Sequence, residues 1–168
     1  FLHPFVQTIF TEVDGSASGS VVLEGSFERI CVYGDAFAHR FTFGVPFINT
    51  RYTLSDSIHL TRTQIRFDNV TAMDDYGNTA KASGVINHKY FVNPEYDIKI
   101  YDARNIMAFD VRHTPSIPYF GTIYGWGDVS IKGNEAYTNI DVNMTAGAGS
   151  TFTFALTNST NAVDYPFL

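Results

Sequence analysis

Cysteine is almost absent from this sequence of 168 residues, in which Cys31 is the one example. A single cysteine forms no disulfide within the chain and builds no multi-thiolate metal site. Cys31 lies in the apolar run Arg29-Ile30-Cys31-Val32-Tyr33, so we expect an inert, partly buried thiol. The lack of disulfides does not exclude an oxidising compartment.

Positive charge is also scarce, because 11 Lys and Arg residues face 17 Asp and Glu residues, for a net charge of −6. The basic residues are scattered along the chain and form no cluster. Nucleic-acid binding needs a Lys/Arg surface that replaces the counterions of the phosphates. We therefore expect no nucleic-acid partner.

Long apolar runs and helical patterns are missing as well. No stretch approaches the roughly 18 apolar residues of a membrane-spanning helix, and no signal peptide is visible. No stretch repeats apolar residues at the i, i+3, i+4, i+7 spacing over three turns. We expect residues 1–168 to form one all-β segment of a longer protein, so that any membrane anchor or targeting signal would lie outside this segment.

The sequence lacks the usual motifs of catalysis and of metal or cofactor binding. Its five histidines are far apart, and no Gly-x-Ser-x-Gly motif is present. Asp74 and Asp75 precede Gly77 in a segment typical of a turn, which explains this carboxylate pair better than acid–base chemistry. His88 falls on the apolar phase of its strand, where we expect a structural role. We predict a protein that is not an enzyme and needs no cofactor.

Fifteen Phe and ten Tyr favour β structure, and the pattern of the chain agrees. Around the turn at 74–78, apolar and polar residues alternate along three successive segments between Ile65 and Ile100. The same alternation recurs along most of the chain, including a short candidate strand at 6–10. We predict an all-β, antiparallel meander of about ten strands.

Such a meander has one apolar face that must be covered. A sandwich, a closed barrel and an open trough satisfy the alternation equally well. The small residues Ala80, Ala82 and Gly84 on the inward phase would leave room for a ligand. The residues that we predict to line an apolar groove are Phe43, Ile86, Ile98, Val129, Ile131, Ile140, Val142, Phe152 and Phe154.

The stretch from Asp74 to His88 has the pattern D-x-x-G-N-x-A-x-x-x-G-x-I-x-H, which resembles a conserved block of the TamB family. Tyr119-Phe120-Gly121-Thr122, with the glycine-bracketed strand that ends at Gly133, resembles a second block. The turn from Thr145 to Phe152 resembles a third, and the likeness extends over residues 19–156.

The resemblance implies a segment near the C-terminal conserved region of an AsmA-like, bridge-type lipid transfer protein of a Gram-negative, Bacteroidetes-like bacterium. Members of this family cross the periplasm as an open β half-pipe, or β-taco, with an apolar concave interior, and an N-terminal helix anchors them at the inner membrane. They are associated with phospholipid movement and with outer-membrane protein assembly through the barrel protein TamA. The family has no catalytic residues. Asp110 and His88 depart from expectation, since a lipid-lined interior disfavours polar atoms.

The sequence therefore predicts a periplasmic conduit whose partners are phospholipid acyl chains. A first alternative is an assembly or translocation module for outer-membrane proteins that works with a TamA-type barrel by β-augmentation. A second is a carbohydrate-binding or adhesive β-sandwich, suggested by Trp126 and the tyrosines.

Overall fold

A computed structural model describes residues 11–26, 29–46 and 48–155, and this part of the chain folds into β-strands without a helix. The predicted strand at 6–10 lies outside the described residues. All pairings between the strands are antiparallel, which confirms the predicted all-β meander. The strands are β1 Thr11–Ser26, β2 Arg29–Val45, β3 Thr50–Leu54, β4 Ser57–Leu60, β5 Gln64–Asp74, β6 Thr79–Lys89, β7 Val92–Val111, β8 Tyr119–Gly133, β9 Thr138–Ala146 and β10 Thr151–Phe154.

The ten strands form one sheet with eight strand positions. β3 and β4 share one position, because both lie between β2 and β5, and β9 and β10 share the last position beside β8. The order is otherwise that of the chain, so the sheet is an up-and-down meander. Within the described ranges, β1 and the β9–β10 pair are the outer strands and do not pair with each other. This part of the chain therefore forms neither a closed barrel nor a second sheet.

Several strands contain bulges where the apolar phase shifts by one residue. In β5, Phe67 pairs with Gly84 and Val70 with Ala82, and Asn69 between them has a φ of 52°. Arg40 in β2 and Asp102 in β7 also have positive φ and coincide with register shifts. A bulge inserts one unpaired residue and bends the strand. Each bulge keeps the apolar side chains on one face although the sequence alternation changes phase.

β7 runs past the end of β6 and bends over the β5–β6 hairpin toward β3. Beyond Arg104, which pairs with Thr79 at the start of β6, the Asp110 amide donates to the Ile48 carbonyl at 2.9 Å. The Tyr52 hydroxyl donates to the Met107 carbonyl at 2.7 Å. These bonds join β7 to β3 and to the turn just before it, although β5 and β6 lie between them in the sheet, so the sheet is sharply bent at this end.

The small buried core lies at this bend. Ala80, Ala103 and Ile106 form the cluster, and Tyr52, Ile100 and Met144 pack against it. In the described chain, Val70 is the largest side chain that is fully buried, with an exposed fraction of 1%. A single sheet buries little on its own, which explains why most apolar residues stay half-exposed.

Candidate functional site

The candidate site is one face of the sheet, identified from the strand register. Residues directly opposite each other in an antiparallel pair point to the same side, and successive residues of a strand point to opposite sides. One line of direct partners crosses all eight strand positions. It consists of Val21, Gly34, Leu60, Ile65, Ile86, Tyr96, Gly133 and Thr138. We call the side to which these residues point the apolar face.

Six of the nine predicted groove residues form a compact block on this face. Ile98, Ile131 and Ile140 are direct partners across β7, β8 and β9. On the next line of partners, Ile100 in β7 is the direct partner of Val129 in β8, and Val129 is the direct partner of Val142 in β9. Ile86 is the direct partner of Tyr96 on the neighbouring line. The structure thus brings these six residues together on one face.

The remaining three predicted residues lie on the apolar face near the bent end. The Phe43 ring lies 5.9 Å from the Tyr52 ring, measured between centroids. Phe152, the direct partner of Gly121, contacts the Phe109 ring edge-on at 5.9 Å. Phe154 pairs with Tyr119 at the end of the sheet. The apolar face therefore has an aromatic border at this end.

The opposite side of the sheet is polar along the adjacent line of partners. That line consists of Ser20, Asp35, His59, Arg66, Val85, Asp97, Lys132 and Asn139. His59 bonds Asp35 at 2.6 Å, and Lys132 pairs with Asp97 at 2.9 Å. We call this side the polar face. The contrast between neighbouring lines shows that the sheet is amphipathic over its whole width.

Exposure increases toward the outer strands of the apolar face. Ile86, Ile98, Val129 and Ile131 in the central strands are half-buried by their neighbours. By contrast, the exposed fractions of Leu23 in β1 and Val142 in β9 are 68% and 64%. No second layer from the described residues covers this face, although monomeric proteins rarely leave so extended an apolar surface in water. Something outside the described chain is expected to cover it.

The buried cluster at the bend belongs to the same face and was not predicted from the sequence. Tyr52 reaches it from β3, and Ile106 reaches it through the bulges of β7. Burial is the main cause that raises the pKa of the Tyr52 phenol to about 12; the nearby Thr50 side chain lowers it, and the Asp74 charge raises it. Tyr52 therefore stays neutral and keeps its hydrogen bond to Met107.

Asp74 organises this end of the site. Its carboxylate accepts hydrogen bonds from the Tyr76 and Asn78 amides at 2.9 Å, and from the Met107 amide at 2.8 Å. The first two bonds shape the 74–78 turn, and the third fixes β7 over the hairpin. The predicted turn role of Asp74 is confirmed, and this carboxylate also links two distant strands.

Asp110 and His88, the two polar residues that an apolar interior disfavours, lie in two different environments. Asp110 points to the polar face, where its carboxylate accepts a hydrogen bond from the Thr122 hydroxyl at 2.7 Å. His88 is buried at the end of β6, stacks on the Phe91 ring at 4.3 Å and accepts a hydrogen bond from the Phe91 amide. Burial lowers the pKa of its imidazole. Asp110 therefore does not interrupt the apolar face, and His88 stabilises the β6–β7 turn.

The described residues include neither a metal-ligand cluster nor a Ser-His-Asp triad. They contain no group of three or more His, Cys, Asp or Glu side chains that could hold a metal ion. Ser18 bonds His39 at 2.6 Å, but the nearby Asp35 bonds His59 instead, so these side chains do not form one Ser-His-Asp triad. Cys31 is half-buried, as predicted.

Within the ranges that the structure describes, no helix is long and apolar enough to cross a membrane. Comparisons of the chain with protein-family models, with curated proteins and with solved structures found no match. The likeness to the TamB family therefore stays a prediction from sequence, and the apolar face is the feature on which a functional proposal rests.

Proposed function

We propose that this chain is a non-enzymatic segment of a periplasmic bridge, and that its apolar face conducts phospholipid between the inner and outer membranes. The observation that carries the proposal is the apolar face itself, which continues across all eight strand positions without a covering layer from the described residues. Burying an acyl chain on such a surface stabilises the complex by about 0.8 kcal/mol per methylene group. Acyl chains therefore suit this face chemically.

In this proposal the sheet curves into an open half-pipe with the apolar face inside. The bend supports this shape, because Tyr52 of β3 packs against Ala103 and Ile106 of β7 on the apolar side. Acyl chains would lie along the groove, while headgroups stay in water at its open side. The resemblance to the TamB family supports the periplasmic location and an anchor outside residues 1–168.

The proposal is tested by photo-crosslinking at two adjacent residues of β8. Val129 points to the apolar face, whereas Ser130 points to the polar face and pairs with Lys99 and Asp141. A photoreactive residue is placed at one position or the other, and the protein is irradiated in a Gram-negative cell. We expect covalently attached phospholipid at position 129 and none at position 130. Equal labelling at both positions, or no lipid at either, would contradict the proposal.

A second candidate function is supported by the outer strands. In the assembly module hypothesis, β1 or the β9–β10 pair binds an extended segment of an outer-membrane protein, or a TamA-type barrel, by β-augmentation. Their outer sides have no partner among the described residues. Binding of an unfolded barrel peptide that persists in an Ile131→Asp variant would favour this function over the lipid conduit. Loss of both peptide and lipid binding in the same variant would instead indicate that the peptide, like the lipid, binds to the apolar face.

A further inference from the structure

We propose that the polar face of the sheet carries a binding site for a neutral oligosaccharide, built around three aromatic side chains. These are Tyr76, Tyr124 and Trp126, which we call the aromatic patch. Tyr124 and Trp126 are two residues apart on β8 and point to the polar face, as Ser130 does on the same strand. The patch lies on the side opposite the apolar face, so a saccharide there would bind independently of lipid.

The bend of the sheet brings Tyr76 to β8 from the distant 74–78 turn. The Asp74 carboxylate accepts a hydrogen bond from the Met107 amide at 2.8 Å, and Met107 is the direct partner of Tyr124. This bond sets the turn beside β8. The Tyr76 ring consequently meets the Tyr124 ring edge-on, with the centroids 6.2 Å apart. The same contact that fixes the bend therefore assembles the aromatic patch.

The rings of the patch are open to solvent. The exposed fractions of Tyr76 and Trp126 are 67% and 50%, on a face that otherwise presents ion pairs and other polar groups. Trp and Tyr combine a flat apolar ring with a polar tip, and they are enriched in binding surfaces for this reason. A pyranose ring with equatorial substituents has the complementary form, because its axial C–H bonds make a flat apolar face and its hydroxyl groups surround the rim.

Hydrogen-bonding groups without partners lie beside the rings. Asn105 and Trp126 meet over Gly147, where an added methyl group would collide with Asn105 Oδ1 and would lie 3.4 Å from Trp126 Nε1. Neither the Asn105 amide nor the Trp126 N–H group has a hydrogen-bond partner among the described residues. Asp128, two residues further along the same side of β8, is exposed and has no such partner there either. An amide, an N–H donor and a carboxylate can together bind the hydroxyl groups of a sugar.

Charge and position both favour an uncharged ligand at this site. Arg104, which precedes Asn105, is paired with Asp102 at 3.0 Å, and the charged residue on the strand of Trp126 nearest to it is Asp128. An anionic ligand would therefore be disfavoured. β8 pairs with β7 on one side and with β9 and β10 on the other. A sheet that continues past its outer strands would consequently leave the polar side of β8 as it is.

Intrinsic fluorescence tests the proposal, because Trp126 is the single tryptophan of the chain and reports on this site alone. The full chain is titrated with cellotetraose and with tetra-N-acetylchitotetraose, whose pyranose rings carry equatorial substituents. With at least one of them we expect a saturable blue shift of the emission and protection from quenching by acrylamide. Sorbitol, which has hydroxyl groups but no ring, should cause neither change. The absence of a saturable change with both tetrasaccharides would overturn the proposal. A change with tetramethylammonium chloride alone would also overturn it and would assign the aromatic patch to a cation.

Variants measured by titration calorimetry locate the binding. Trp126→Ala should weaken saccharide binding roughly tenfold, and Asn105→Asp, which tolerates the φ of 55° at this position, should weaken it as well. Tyr137→Ala is the matched control, since Tyr137 is an exposed aromatic residue outside the patch, and it should bind normally. Val142→Asp on the apolar face should also keep saccharide binding, so a failure of the lipid proposal is distinguishable from a failure of this one. Undiminished binding by Trp126→Ala, or an equal loss in Tyr137→Ala, would contradict the proposal.

Discussion

Replacing Asp74 with alanine should loosen the bent end of the sheet. The substitution leaves the Met107 amide without its acceptor in a place where Met107 is only 8% exposed. A buried donor that loses its partner costs about 2 kcal/mol, and the loss of the charge-assisted bonds to the turn adds about 1 kcal/mol. The amides of Tyr76 and Asn78 lie closer to solvent, so water replaces the carboxylate there. We expect a total destabilisation of about 3 kcal/mol.

Urea unfolding followed by circular dichroism measures this effect. With a slope of about 2 kcal/mol per molar urea, the midpoint should fall by about 1.5 M. Asp75→Ala is the matched control, because Asp75 is exposed in the same turn. Its midpoint should change little. If Asp74→Ala and Asp75→Ala unfold at the same urea concentration, the carboxylate does not hold β7 over the hairpin, and the account of the bend is wrong.

Three further predictions concern single residues. Gly34→Ala should destabilise the protein more than Gly77→Ala in thermal unfolding: both glycines have positive φ, but only at Gly34 would a Cβ collide with backbone, at the Ser20 carbonyl oxygen. Equal losses would show that β1 and β2 have room to move apart. Tyr52 should contribute stability that is complete below pH 10 and is lost as the pH rises toward 12, because its folded pKa exceeds the unfolded value and ionisation favours the unfolded chain. The stability difference between wild type and Tyr52→Phe should therefore shrink over this range by up to about 2.7 kcal/mol, and a constant difference would refute the burial argument. His88 has a lowered pKa, so the stability that it contributes is present above pH 6.5 and is lost on acidification through the folded pKa. An NMR titration should place the His88 pKa below the ordinary histidine value of about 6.5, and His88→Phe should unfold with a weaker dependence on acid.

Much of the site was predictable from local alternation. Ile98, Val129, Ile131, Ile140 and Val142 were assigned to one face from sequence, and the register places them as neighbours on that face. The reason is that side-chain direction along a regular strand is a local property with a period of two residues. The turn at 74–78 was predictable for the same reason, since its residues favour turn geometry whatever surrounds them.

The bulges could not be predicted from the local alternation. At Asn69 and Asp102 the apolar phase shifts, and a bulge or a strand end would explain the shift equally well from sequence. The structure has bulges, and Ile106 consequently joins the buried cluster instead of starting a separate strand. Whether a strand ends or bulges depends on its neighbours, which the local pattern does not contain.

By itself the sequence determined that the chain forms strands, that they pair antiparallel as a meander, and that one face of each strand is apolar. Only the tertiary structure decided that the described residues form one sheet, that its outer strands stay open, and that β7 bends over the hairpin to β3. Sandwich, barrel and open sheet share the same alternation, so the choice among them lies in contacts between distant residues. The bond from the Met107 amide to the Asp74 carboxylate, across 33 residues of chain, is such a contact.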